Sequence, residues 1–99
     1  MPINPSELLA DNEKQRQLND IATSHVRSVQ TLLIKLEQLF PNRFGQELNR
    51  HTVEAARVLY KLDEQKDLLL WTKIQLEIFE AAENQYLSTE SLSHINLEE

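Results

Sequence analysis

An all-α fold is what this sequence predicts: a small helical bundle of three main helices, the first long and led by an N-terminal arm, with a face left over for dimerisation. Three observations carry that expectation. Apolar side chains recur at steps of three and four over most of the chain. A single glycine, Gly45, occurs in 99 residues, whereas tight turns and phosphate-cradling loops need several. None of the Asn-Gly, Asp-Gly or Gly-Gly pairs that close two-residue β-hairpins is present.

The first element opens with a full set of start signals. Asn4 is placed as N-cap, Pro5 takes the first helical position, Glu7 follows three residues after the cap, and Ile3 is spaced to pack on Leu8. Between Ala10 and Gln17 no large apolar residue occurs, so residues 1–17 read as an arm that projects from the core, or as a helix that breaks near Asn19-Asp20. From Leu18 a stripe forms through Ala22, His25, Val29, Leu32, Leu36 and Leu39, with Asp20, Thr23, Arg27, Thr31 and Gln38 on the opposite side. Pro41 disfavours helical geometry at Phe40, so the element stops there and residues 41–45 form a connector.

A second helix is expected from about Gln46 to Leu62, with Leu48, Thr52, Ala55, Leu59 and Leu62 along its apolar line. The line changes phase across Asp63-Glu64-Gln65-Lys66-Asp67, which places a break with Asp63 as N-cap; one helix running from 46 to 87 is the alternative, since no Gly or Pro interrupts the segment. The third helix, about Asp63 to Leu87, is apolar on two sides. Leu70, Trp71, Ile74 and Ile78 form the side expected to meet the chain's own core. Leu69, Leu76, Phe79, Tyr86 and Leu87 form the opposite side, expected to meet a partner, with Glu77, Glu80 and Glu83 as an acidic rim. Residues 18–87 thus make the bundle, and residues 88–99 an acidic tail that is either disordered or a short docking helix.

Composition removes several classes of function. Without cysteine there are no disulfides, thiolate nucleophiles or sulfur-ligated metals. No Glu-x-x-His pair exists for a di-iron bundle, and His51 between Glu47 and Glu54 reads as a solvated helix face rather than a metal site. His25 reads as a histidine within an apolar stripe. No catalytic residues, metal ligands or cofactor are assigned. No stretch is apolar enough to span a bilayer, and the first residues lack a leader's basic and apolar regions, so a cytoplasmic protein is expected.

The formal charge is −6, and its layout matters more. Residues 1–45 carry five acids and five bases, residues 46–99 eleven acids and five bases, and every Lys and Arg precedes Ile74. That balance argues against nucleic acid as partner. One resemblance points the other way: Thr52-Val53-Glu54-Ala55-Ala56-Arg57-Val58-Leu59, followed by Leu62-Asp63 and Trp71, looks like the first helix of excisionase-like helix-turn-helix domains, over about twenty residues. It departs from that pattern at Tyr60 and Lys61, where such turns often hold Gly, and the would-be recognition helix opens on Asp63-Glu64, which repels phosphates. It implies a DNA-binding regulator. The pattern as a whole points to a non-enzymatic protein-binding module, a small acidic adaptor, inhibitor, immunity protein or chaperone. A self-assembling structural dimer is the alternative, and the partner is another protein or a second copy.

Overall fold

The computed structural model describes the backbone of residues 4–98 and the side chains of residues 4–85. It is an antiparallel hairpin of two long helices, α1 (Pro5–Leu39) and α2 (Gly45–Glu98), and no strand occurs among the described residues. The all-α expectation holds, but the three expected helices are two. The break placed at Asp63 does not occur: Glu64, Gln65 and Lys66 are good helix formers, and α2 passes through them without interruption. Nor does α1 break near Asn19-Asp20 or project as a free arm. Its N-terminal half lies along α2 like the rest of it, with Asn12 and Asn19 buried.

The expected caps explain where α1 begins and ends. The Asn4 side chain accepts a 3.0 Å bond from the Ser6 backbone N–H, with Pro5 at the start of the first turn. At the other end Phe40 leaves helical geometry ahead of Pro41, its N–H still donating to the Leu36 carbonyl at 3.0 Å. The turn is closed by positive φ at Asn42 (63°) and Gly45 (53°). It is braced by an edge-to-face contact of Phe40 and Phe44 at 6.2 Å, with the Arg43 guanidinium over the Phe40 ring. A Cβ at Gly45 would meet no atom within 4 Å, so Gly45→Ala carries only the conformational penalty. It should lower stability by about 1–2 kcal/mol, read as a fall in the urea midpoint at unchanged m-value.

The two helices meet along columns that repeat every seven residues. On α1 the column is Pro5, Asn12, Asn19, Val26 and Leu33; on α2 it is Leu48, Ala55, Leu62, Leu69 and Leu76, and all ten are buried or half-buried. A seven-residue step keeps a narrow seam facing its partner along the length of two helices. This period resolves the apparent phase change on α2. Counting seven from Leu62 lands on Leu69 and Leu76, so the line that began at Leu48 continues unbroken and Trp71 falls outside it.

The molecule is extended. Its extents are 85 × 22 × 15 Å and its radius of gyration is 23.6 Å, whereas a compact chain of this length has about 13 Å. The start of α1 lies level with Glu80, whose carboxylate accepts from the Ser6 hydroxyl at 2.8 Å, and α2 runs on from there to Glu98.

Candidate interaction surface

The hairpin's own seam is thin, and two of its five buried residues are asparagines. Asn12 Nδ2 donates to the Leu69 carbonyl and Asn19 Nδ2 to the Leu62 carbonyl, each at 3.0 Å. Donors and acceptors are both one seven-residue step apart, so the pair fixes antiparallel register: a slip by one turn would leave both amides without their carbonyls. The carbonyls belong to helical peptide groups and use a second lone pair for the asparagine. The two asparagines differ in their remaining oxygen. Asn12 Oδ1 accepts from Arg16 Nε at 3.0 Å, whereas Asn19 Oδ1 is buried with no partner, because position 23 is a threonine whose hydroxyl donates instead to the Asn19 backbone carbonyl. An orphaned buried acceptor costs about 1–3 kcal/mol. Asn12→Ala, which removes two bonds and frees Arg16, should therefore destabilise more than Asn19→Ala, which removes one bond together with the orphan. The ordering is measured by urea unfolding of the two variants.

Because this seam takes the α1 column that holds Asn12 and Asn19, most of the larger apolar stripe is left outside. Leu18, Ile21, Leu32 and Leu39 are exposed, Leu32 to 64% of its surface, and His25 sits among them in the open. On α2, Trp71, Ile74 and Ile78 are exposed as well. The expectation that Trp71 and its neighbours meet the chain's own core is corrected, for Trp71 is 60% exposed. The buried apolar side chains that remain among the described residues are Leu48 and Ala55, with Pro5 at the end of the seam.

The face expected for a partner is divided. Leu69 and Leu76 are half-buried in the hairpin seam, whereas Phe79 is 62% exposed. Tyr86 and Leu87 lie outside the residues whose side chains are described. Of the acidic rim, Glu77 lies 3.7 Å from Lys73 in an exposed ion pair, Glu80 holds Ser6 between the helices, and Glu83 is exposed.

The opposite flank of the hairpin is polar, an open groove between Asp20, Thr23, Arg27 and Thr31 on α1 and Ala56, Tyr60 and Asp63 on α2. No group of three histidine or carboxylate side chains that could hold a metal ion occurs among the described residues, and no helix is long and apolar enough to cross a membrane among those residues. The excisionase-like resemblance implied a turn between Leu59 and Trp71. That turn is absent, since α2 is continuous there.

No family model, curated protein or solved structure matches the chain. Function must therefore be argued from the surface itself. The residues that sequence reasoning missed are Asn12 and Asn19. The available signal was their seven-residue spacing in line with Pro5, Val26 and Leu33, which a search for apolar periodicity passes over.

Proposed function

We propose that the chain is a non-enzymatic protein–protein interaction module, a helical hairpin that presents its large apolar side chains to another polypeptide. One observation carries the reading: the side chains best suited to a core, Leu18, Leu32, Trp71, Ile78 and Phe79 among them, are on the outside of the hairpin. Large apolar side chains exposed in this number mark contact sites, because soluble monomers rarely leave so many open to water. Helix-on-helix recognition is the natural mode, with anchors at three- and four-residue steps laid against an apolar helix face.

The test is the sedimentation of the endogenous protein in native extract. The reading expects a complex well above the single-chain mass of 11.6 kDa, and a joint replacement of Trp71 and Ile78 by Asp should shift it to lower mass. Sedimentation as a single chain before and after the replacement would overturn the reading.

A further inference from the structure

Resting on the reading of the chain as an interaction module, we infer that the occupant of the uncovered apolar face is a second copy of the same chain, laid antiparallel to the first so that the two hairpins form a four-helix assembly. The exposed area favours a second copy. The chain exposes 8398 Å², against roughly 5,800 Å² for a compact folded chain of its 11.6 kDa. The surplus is about 2,600 Å² per copy, the mark of an elongated chain, and covering half of it on each of two chains falls within the range of about 2,000–5,000 Å² for obligate homodimers. A surface of that size belongs to an obligate interface, and the polypeptide always present at matching concentration when this one is made is itself.

The layout of charge favours the antiparallel direction. Every Lys and Arg precedes Ile74, and at the turn end Arg43, Arg50 and Arg57 offset Glu37, Glu47 and Glu54, with Arg57 3.4 Å from Glu54; from Ile74 onward α2 carries acids and no Lys or Arg. Side by side with turns together, two copies would set acidic end against acidic end. With turns at opposite ends, the part of α2 that runs past the start of α1, carrying Glu83 and Glu90, lies beside the arginines of the other copy. The same arrangement gives that overhanging stretch a neighbour, which a single helix segment of this length needs to persist in water.

The experiment uses the purified full chain. Light scattering coupled to size exclusion should give twice the single-chain mass at micromolar concentration. Leu32→Asp should reduce it to one, while Ser24→Asp on the polar flank leaves the dimer intact. The chain has no cysteine, so direction is read by oxidising Arg57→Cys and Glu83→Cys proteins. Antiparallel copies cross-link the mixture of the two, and parallel copies cross-link Arg57→Cys with itself. A monomeric wild type, a dimer indifferent to Leu32→Asp, or self-linking of Arg57→Cys would each overturn the inference. If the purified chain is monomeric while the protein in native extract sediments as a complex, self-pairing fails and the module reading survives; if both are single chains, both fail.

Discussion

Ala55→Asp is expected to abolish the helical hairpin, while the same substitution one residue later, Ala56→Asp, leaves it folded. Ala55 is 8% exposed and stands in the central column of α2, one seven-residue step from both Leu48 and Leu62. The register set by Asn19 and Leu62 puts Ala55 level with Val26, and the half-buried residues within a turn of that level, Thr23, Gln30, Thr52 and Leu59, carry no charge to neutralise a carboxylate. A buried unpaired charge costs several kcal/mol, and removing the charge by protonation only trades that cost for a shifted titration. Stability of ordinary domains is about 5–15 kcal/mol, and a seam with two buried apolar side chains besides Pro5 sits at the low end of what packing alone can supply. Ala56 faces the open groove beside Asp20 and Asp63, where an added carboxylate stays hydrated. Its expected cost is about 0.5–1 kcal/mol, from helix propensity and like-charge repulsion. Circular dichroism at 222 nm should show a coil for Ala55→Asp and a full helix signal for Ala56→Asp. Equal helicity in the two variants would mean that the Leu48–Leu76 column is not the seam.

Much of this hairpin can be read from its residues, and the part that cannot has a definite cause. Local signals act over a few residues and were legible: Asn4 with Pro5 starts α1, Pro41 ends it, and Asn42 with Gly45 turns the chain. The pairing of faces was not legible, because α1 carries two usable stripes. Leu18, Ala22, His25, Val29, Leu32 and Leu39 form the more apolar one, and a rule that large apolar residues face the chain's own core selects it. The hairpin uses the other, Asn12, Asn19 and Val26, because an asparagine amide that reaches a helical carbonyl supplies direction and register as no leucine can. The same inversion carried over to α2, where Trp71 was expected inside and Leu69 outside. Both errors come from giving the more apolar stripe of each helix to the chain's own seam, whereas the hairpin closes on the columns that carry Asn12 and Asn19 on α1 and Leu62 and Leu69 on α2.

Thermal stability should depend strongly on protein concentration. If the large apolar stripes are covered only on association, unfolding and dissociation are one event, and each tenfold dilution removes about 1.4 kcal/mol of apparent stability. With an unfolding entropy of roughly 2.1 cal/mol/K per residue over two chains of this length, that corresponds to a fall in Tm of roughly 3–5 °C per tenfold. Across three decades, from about 100 μM to about 0.1 μM, the midpoint should drop by about 10 °C. At the dilute end the helix signal itself should diminish before heating begins, because the overhang of α2 beyond Glu80 has nothing of α1 beside it. A self-sufficient hairpin behaves otherwise. Its register bonds and its Leu48–Leu76 column are intramolecular, so its midpoint would be the same at every concentration. Melting curves recorded at 222 nm in cells of different path length decide between the two. Superimposable curves over the whole range would mean that the hairpin is stable alone and that its exposed leucines, Trp71 and Phe79 are not a folding interface.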